Sequence, residues 1–336
     1  MLAAFITALA GPELASAEAA VLRAARPCGV ILFARNVRDP EQMLRLTEAA
    51  RAAVGDDILV LIDQEGGRVR RLRPPHWREL PAAAAYGRLY THDAEAACST
   101  ARLAARLTAQ ELRALGINTN CAPVLDVPVA GSHDIIGDRA YGAEPEQVCE
   151  LGLAVAEGFM AGGVLPVVKH IPGHGRATKD SHLDLPVVSA SRAELVGTDF
   201  AAFQRLAHLP AAMTAHVVFS AVDPDLPASV SPRVTTEIVR GAIGFDELLM
   251  SDDLGMKALT GDIGSRARAV LGAGSDLALV CSGDLADTEA VAAVAPQLSG
   301  AALGRFERAR AVFGQQEPFD VAQAEAGLER ALRTHA

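Results

Sequence analysis

The chain has 336 residues, of which 50% are hydrophobic and 21% are charged, and its formal net charge is −10. A net charge of this sign and size argues against a protein that binds nucleic acid or lies on an anionic membrane. The length suits one α/β barrel with insertions, which typically needs about 250 residues, and the apolar fraction is enough to form a large core.

The cysteine content argues against a disulfide-stabilised or zinc-binding protein. The cysteines are Cys28, Cys98, Cys121, Cys149 and Cys281. Their odd number and the absence of a CxxC pair predict free, buried thiols. Because free thiols are typical of a reducing compartment, we expect a cytoplasmic protein.

The beginning of the chain is apolar over residues 1–10, but it has no basic region and Pro12 follows almost at once. This pattern predicts a first strand and not a signal peptide. No apolar stretch of about 18 residues occurs, so we expect no membrane-spanning helix and no membrane partner.

Short apolar runs rich in β-branched residues recur along the whole chain. Continuous runs of this kind are typical of parallel strands that are covered on both faces. The predicted strands are Leu2–Leu9, Val30–Ala34, Ile58–Ile62, Ile117–Val127, Val164–His170, Ala211–Phe219, Leu248–Asp252 and Leu277–Cys281.

Amphipathic segments separate these runs and predict helices. Ser191 lies three residues before Glu194 and predicts a capping box, while Ser231 and Pro232 predict the start of another helix. The predicted helices are Pro40–Val54, Ala94–Leu115, Glu144–Ala161, Ser191–Leu206, Val234–Ala242, Ser265–Gly272, Leu285–Leu298 and a closing helix after Glu317.

The alternation of strands and helices predicts an α/β fold, a single (β/α)₈ TIM-type barrel that occupies residues 1–336 as one domain. A doubly wound sheet is the alternative, but no glycine-rich fingerprint follows the first strand. For a closed barrel we expect a monomer.

Polar clusters follow three of the predicted strands, where a barrel builds its active site. Asp252 and Asp253 end one strand, and either could cap a helix or project into a pocket as a nucleophile.

Lys169 and His170 end a second strand and continue into a loop. Gly173 and Gly175 in this loop suggest that the loop is mobile.

Asp180 and His182 lie in the same loop, two residues apart. In an extended segment both side chains would point the same way, so that Asp180 could orient His182 as a general acid and base. An exposed Asp–His pair without function is the alternative interpretation. A metal site built from His170, His174, His182 and Asp252 is a further alternative, although proline and glycine exclude a helical zinc pair here.

Asp63 and Glu65 lie at the end of the third predicted strand, Ile58–Ile62, and precede two glycines and three arginines. A fixed carboxylate can accept hydrogen bonds from two neighbouring sugar hydroxyls, and glycines let the backbone approach a ligand. We expect at least one of Arg68, Arg70 and Arg71 to form a structural ion pair.

Four segments together carry a family resemblance. They begin at Asp63, Lys169, Asp180 and Ser251 and read DQEGGRV, KHIPGHG, DSH and SDDLGMK. In this order and spacing the chain resembles glycoside hydrolase family 3, specifically its single-domain bacterial β-N-acetylglucosaminidases of peptidoglycan recycling, the NagZ type.

The resemblance implies roles for individual residues. Asp252 would be the nucleophile of a retaining glycosidase, and His182 with Asp180 the acid/base dyad. Sugar contacts would come from Asp63, Arg71, Arg139, Lys169 and His170. Arg176 departs from the family pattern, since an acidic residue is common there.

The resemblance also implies a substrate, an N-acetylglucosamine-containing muropeptide, and no cofactor or metal. A histidine in place of a second carboxylic acid would not repel an anion, so a phosphorylase that uses phosphate instead of water stays an alternative. A sugar-binding protein without activity is a weaker one, because Asp252, Asp180 and His182 are all present. Nearby Lys169 or Arg139 would keep Asp252 ionised.

Overall fold

The computed structural model describes residues 1–334. Within this range the strands are β1 (Ala3–Ala8), β2 (Pro27–Leu32), β3 (Leu59–Ile62), β4 (Thr119–Asn120), β5 (Leu165–Pro166), β6 (Val168–Ile171), β7 (Val187–Val188), β8 (Ala211–Thr214), β9 (Val218–Phe219), β10 (Leu248–Asp253) and β11 (Leu277–Val280).

The α-helices surround these strands. Over the same residues they are α1 (Ser16–Ala25), α2 (Pro40–Val54), α3 (Ala83–Tyr90), α4 (Ala94–Ala114), α5 (Pro145–Ala161), α6 (Arg192–Gly197), α7 (Asp199–Arg205), α8 (Ile263–Gly272), α9 (Leu285–Ala292), α10 (Gly300–Arg310) and α11 (Val321–Thr334). Residues Val234–Ala242 form a π-helix.

The main sheet is parallel and returns on itself as a barrel. Its strand order is β5-β4-β3-β2-β1-β11-β10-β8-β6, so that β1 pairs with β11 and the two ends of the order are β5 and β6. Only Val167 separates β5 from β6, and its N–H donates to the carbonyls of Asn120 and Ala122. The predicted TIM-type barrel is therefore confirmed.

Alternation along the strands divides the core into two layers. Ile31 and Met213 point into the barrel interior, while Val30 and Leu32 pack outward against the helices. A barrel filled with apolar side chains in this way is closed to solvent, which leaves its rim as the place for chemistry.

Helix starts follow the expected capping chemistry. The side chains of Asp39, Asp93 and Asp262 accept the N–H three residues on, at the starts of α2, α4 and α8. Ser191 and Glu194 form the predicted capping box at α6.

Several predicted bounds were wrong. The strand predicted over Ile117–Val127 is regular only at Thr119–Asn120, because Pro123 lacks an N–H for a ladder. The helix predicted over Ser191–Leu206 is broken at Thr198, which has φ −128° and ψ −82°. The helix predicted to reach Leu298 ends at Ala292, and α1, α3 and α10 were not predicted.

No helix among residues 1–334 is long and apolar enough to cross a lipid bilayer.

Candidate active site

A cavity of about 440 Å³ opens at the carboxyl ends of the barrel strands. Asp63 follows β3, Lys169 and His170 lie on β6, and Asp252 is the last residue but one of β10. All four line the cavity, and its volume falls within the range of about 300–1,000 Å³ that is usual for small-molecule sites. The barrel fold thus brings together polar residues that are up to 189 positions apart, from 63 to 252.

Asp252 is a partly buried carboxylate whose environment favours the ionised form. Burial raises its pKa, but His170, His216 and the N–H of Asp253 outweigh this, and the pKa of Asp252 lies below its ordinary value. Lys169 contributes less, and Arg139 is bound to Glu65 instead. The prediction that Lys169 or Arg139 favours the charged form of Asp252 is confirmed for Lys169, although His170 and His216 lower the pKa more.

The Asp253 side chain accepts hydrogen bonds from backbone N–H groups outside any helix. Its Oδ1 accepts the N–H groups of Gly255 at 2.9 Å and Cys281 at 3.0 Å. Asp262 caps the following helix α8, so the helix-cap interpretation of Asp252 and Asp253 was wrong. This arrangement ties the end of β10 to the end of β11 and leaves Asp252 facing the cavity.

His216 forms a hydrogen bond with the same end of β10. Its Nε2 lies 3.0 Å from the carbonyl oxygen of Asp253, which can only accept, so Nε2 carries a proton. Its Nδ1 lies 2.6 Å from Ser229 Oγ. Burial lowers the pKa of His216, while Asp252 and Asp253 act in the opposite direction, and the two ring contacts hold His216 against the end of β10.

Lys169 and Asp63 form one part of a buried charge cluster. Lys169 Nζ lies 2.9 Å from Asp63 Oδ1, and Arg71 donates to Asp63 Oδ2 at 3.0 Å. Burial favours the neutral acid, but Lys169 and Arg71 hold the pKa of Asp63 far below its ordinary value. Asp63 is therefore a fixed carboxylate, 14% exposed, at the wall of the cavity.

Glu65 and Arg139 form the other part. Arg139 binds Glu65 in a bidentate pair at 2.8 and 2.9 Å, and Lys169 Nζ is 2.7 Å from Glu65 Oε1. Burial lowers the pKa of Lys169, but Asp63 and Glu65 raise it more and keep the amine charged. Glu65 thus aligns two cations that line the cavity.

His170 is held by a carboxylate from outside the predicted motifs. Asp126 Oδ2 lies 2.6 Å from His170 Nδ1, and Asp126 Oδ1 accepts the backbone N–H groups of His170 and His174. His174 Nε2 in turn lies 2.9 Å from Ser181 Oγ. Burial lowers the pKa of His174 to about 4, so this ring is neutral near pH 7.

Asp180 and His182 interact through a turn and not through an extended segment. Asp180 Oδ1 accepts the backbone N–H of His182 at 2.9 Å and lies 2.8 Å from its Nδ1. Burial raises the pKa of Asp180, but these contacts with His182 bring it below its ordinary value. The His182 side chain is 60% exposed and lines the cavity with its other nitrogen free for a ligand.

The loop from residue 171 to 182 is anchored at two places. Arg176 donates to Asp199 at 2.6 Å and to Thr198 at 2.9 Å. A Cβ on Gly175 would lie 2.0 Å from the carbonyl oxygen of Val127, so this glycine is required for close packing. Gly175 therefore has a packing role, and the predicted mobility of the loop stays a prediction.

The predicted site residues lie together in the structure. All of them line the cavity except Asp180, which contacts the cavity-lining His182.

The prediction of at least one structural ion pair among Arg68, Arg70 and Arg71 is confirmed. Arg70 pairs with Glu79 at 2.6 Å and Arg68 pairs with Asp134 at 3.2 Å. Sequence reasoning missed Asp126 and His216, which lie inside apolar runs. Periodicity could not distinguish them from ordinary core positions.

Among residues 1–334 no group of three or more histidine, cysteine or acidic side chains is arranged to hold a metal ion. His170 Nδ1 and His174 Nε2 are already engaged by Asp126 and Ser181. The alternative of a metal site at His170, His174, His182 and Asp252 therefore has no support in this geometry.

The model of the glycosyl hydrolase family 3 N terminal domain matches residues 4–308. The chain belongs to glycosyl hydrolase family 3. Curated relatives include the β-hexosaminidase of Alkalilimnicola ehrlichii, which is 41% identical over 286 residues that cover 84% of this chain and 81% of that protein. The β-hexosaminidase of Bordetella avium is 40% identical over 83% of this chain and 81% of its own length.

Solved structures of family 3 members are similar over nearly the whole chain. NagZ from Neisseria gonorrhoeae, in complex with N-trifluoroacetyl-D-glucosamine, has a TM-score of 0.88 and 34% identity over 98% of both chains. A β-N-acetylglucosaminidase of a Paenibacillus species has a TM-score of 0.85 and 32% identity, over 97% of this chain and 66% of that one. The predicted family and the predicted class, a glycoside hydrolase, are confirmed.

Proposed function

We propose that this family 3 glycoside hydrolase is a retaining exo-β-N-acetylglucosaminidase with Asp252 as nucleophile and the His182–Asp180 dyad as acid and base. The observation that carries the proposal is one cavity lined both by a carboxylate kept ionised by histidines and by an imidazole oriented by Asp180. A nucleophile must be ionised and a proton carrier must be oriented, and each group meets its requirement.

The first step forms a covalent glycosyl-enzyme. An oxygen of Asp252 attacks the anomeric carbon while the bond to the leaving oxygen breaks, and His182 Nε2–H transfers its proton to that oxygen. Asp180 accepts from Nδ1 at 2.8 Å, which directs the other nitrogen to the reaction and stabilises the charged ring.

The second step reverses the roles. His182 Nε2 removes a proton from water, whose oxygen attacks the anomeric carbon and displaces the Asp252 carboxylate. Two inversions at one carbon give a product with the configuration of the substrate, which is net retention.

The charge cluster supplies the sugar-binding side of the cavity. Asp63, Arg71, Arg139, Lys169 and His170 all line it. Because Lys169 and Arg71 fix the Asp63 carboxylate, its free lone pairs can accept from adjacent hydroxyls without a change of conformation. Exo specificity follows if these groups bind the terminal sugar in full.

The named relatives support the substrate class, since they are β-hexosaminidases and one solved structure holds an N-acylglucosamine analogue. We propose a peptidoglycan-derived muropeptide as the natural substrate and one monomeric catalytic domain that needs no cofactor. The described cysteines are all free thiols, which supports a cytoplasmic location.

The test is release of 4-nitrophenol from 4-nitrophenyl β-N-acetylglucosaminide, with EDTA present, by the native enzyme and by Asp252→Asn. We expect a loss of at least 10³-fold in the variant, because the nucleophile is removed. Asp262→Asn is the matched control, since asparagine caps a helix about as well as aspartate and Asp262 lies at the start of α8. Equal activity of Asp252→Asn and the control would overturn the proposal.

Phosphate distinguishes hydrolysis from phosphorolysis on the same site. We expect turnover without phosphate, with the β-anomer of N-acetylglucosamine as the first product seen by proton NMR. Turnover that requires phosphate and yields sugar 1-phosphate would favour the phosphorylase instead.

A further inference from the structure

Asp126 is a buried carboxylate in the loop after β4. Its side chain has no exposed surface, and it accepts three N–H groups: His170 Nδ1 at 2.6 Å, His174 N at 2.7 Å and His170 N at 3.2 Å. A buried charge is costly unless it is compensated, and these donors come from a single segment, residues 170–174. The contacts are therefore specific to the strand end and loop that line the cavity.

The first set of contacts, which we call the first arm, is the hydrogen bond from Asp126 to the His170 ring. Burial raises the pKa of Asp126, but His170 and the other donors hold it below its ordinary value, so the carboxylate is ionised and can only accept. The His170 proton must then lie on Nδ1, and Nε2 is the nitrogen that His170 presents to the cavity that it lines. Carboxylates that fix histidine tautomers in this way are familiar from metal sites.

The second set of contacts, the second arm, runs from Asp126 through His174 to the turn that contains Asp180, Ser181 and His182. Asp126 holds the N–H of His174, His174 Nε2 contacts Ser181 Oγ at 2.9 Å, and Ser181 is 2% exposed. Ser181 lies between Asp180 and His182, and its carbonyl accepts from the N–H of Ala258, in the loop that follows Asp252. Asp126 is thus connected both to His170 and, through His174 and Ser181, to the turn that carries His182.

We propose that Asp126 is a positioning residue for catalysis: its one carboxylate orients His170 toward the sugar and, through His174 and Ser181, holds the turn that carries His182. The inference rests on the proposed function, because it assigns Asp126 an effect on His170 and His182 as acting groups.

The test is a double-mutant cycle of Asp126→Asn and His170→Ala, measured as kcat/KM on 4-nitrophenyl β-N-acetylglucosaminide. We expect a loss of about 10- to 100-fold for Asp126→Asn, the size found for carboxylates that orient metal-binding histidines. If Asp126 acts through His170, the double variant loses at least tenfold less than the product of the two single losses. Losses that simply multiply would overturn the proposal.

Asp276→Asn is the matched control for the cycle. Asp276 is also buried and also accepts several donors, but it binds Arg240, Arg305 and the N–H of Leu249 away from the cavity. We expect its loss and that of His170→Ala to multiply. All variants are assayed well below their urea unfolding transitions, so that the comparison is between folded enzymes.

Ser181→Ala tests the second arm without removing a buried charge, and it decides the matter if Asp126→Asn does not fold. His182 must protonate a sugar leaving group but is less needed for 4-nitrophenolate, which leaves readily. We expect a larger loss on N,N′-diacetylchitobiose than on the nitrophenyl substrate. Equal losses on both substrates would overturn the proposal.

The two proposals fail in different ways. Inactivity of the native enzyme on both substrates would overturn the proposed function and this inference with it. Native activity with independent losses in the cycle, or with equal losses for Ser181→Ala, would overturn the inference about Asp126 alone.

Discussion

At the scale of single residues, the carboxylates at the rim of the barrel differ because their neighbours differ. Asp63 is bound by Lys169 and Arg71, whereas Asp252 lies near His170 and His216 and lines the cavity without an ion-pair partner among residues 1–334. Environments of this kind assign separate tasks to chemically identical groups. The charge cluster fits binding, and the free carboxylate fits nucleophilic attack.

Lys169 is the residue whose loss should affect stability most within the cluster. Lys169→Met would leave Asp63 and Glu65 as neighbouring buried carboxylates without their shared cation. We expect a loss of about 3–5 kcal/mol in the free energy of unfolding at pH 7, as is usual when one partner of a buried ion pair is removed.

The same variant should be less destabilised at pH 5, because one carboxylate can then take up a proton. Urea unfolding at the two pH values measures this difference. Lys179→Met is the control, since Lys179 pairs with Asp184 at the surface and such pairs contribute only about 0–1 kcal/mol. A destabilisation of Lys169→Met that did not depend on pH would contradict the account.

His174 predicts a pH dependence of stability. Burial lowers its pKa to about 4, below the unfolded value of about 6.5. Between these values the unfolded chain binds a proton that the folded chain does not, so stability falls as the pH falls from about 6.5 toward 4. His174→Gln removes this contribution and should flatten the slope by up to about 1.4 kcal/mol per pH unit.

Urea unfolding of both proteins across that range measures the slope. His216, whose pKa is also lowered, contributes in the same direction and remains in the variant. Identical slopes for the native protein and His174→Gln would show that His174 does not stay neutral when folded.

Some residues of the candidate site could be predicted from the sequence and others could not. Asp63, Lys169, Asp180, His182 and Asp252 could be predicted because each stands next to glycine, proline or another polar residue at a strand end or in a loop. Asp126 and His216 stand within apolar runs, and their importance comes from partners 44 and 37 positions away, His170 and Asp253. No local pattern contains that information.

At the scale of elements, the loop of residues 171–182 connects β6, which carries Lys169 and His170, to the turn that contains Asp180 and His182. The ion pair of Arg176 with Asp199 fastens it to the start of α7, at the break between α6 and α7.

Arg176→Ala should loosen the loop. We expect faster amide hydrogen exchange over residues 177–183 and a loss of about tenfold in kcat/KM, since a misplaced proton carrier slows a step strongly. Lys179→Ala, which removes a surface pair from the same loop, should change neither. If hydrogen exchange rose but kcat/KM did not fall, the anchor would have no role in placing His182.

The elements themselves were predictable where packing agreed with local preference. The helix Pro40–Val54 begins at an Asp cap with proline in its first turn and was predicted with both bounds correct. The run Ser191–Leu206 has a helical pattern of apolar residues, but the helix breaks at Gly197 and Thr198, which favour helix weakly, next to the pair of Asp199 with Arg176. Such a tertiary contact cannot be read from a hydrophobic pattern.

At the scale of the whole molecule, the two ends of the barrel have different tasks. The carboxyl end carries the cavity, while Asp276 at the amino end binds Arg240 at 3.0 Å and Arg305 at 3.0 Å. These pairs connect the π-helix and α10 to the sheet. A barrel of this kind places function at one face and stability at the other.

Asp276→Ala should therefore separate stability from activity. Two partly buried arginines and the N–H of Leu249 lose their acceptor, so we expect a loss of about 3–5 kcal/mol in the free energy of unfolding. The KM of the folded enzyme should not change. Urea unfolding and steady-state kinetics measure the two quantities, and a raised KM without destabilisation would contradict this division.

The most direct test of the central claim is to trap the glycosyl-enzyme in His182→Ala. With 4-nitrophenyl β-N-acetylglucosaminide the first step needs little acid assistance, but the second lacks its base, so the intermediate should accumulate. We predict a burst of about one equivalent of 4-nitrophenol per enzyme and, after an acid quench, an N-acetylhexosaminyl adduct on the peptide that contains Asp252. Linear release without an adduct, or an adduct on another residue, would contradict the account.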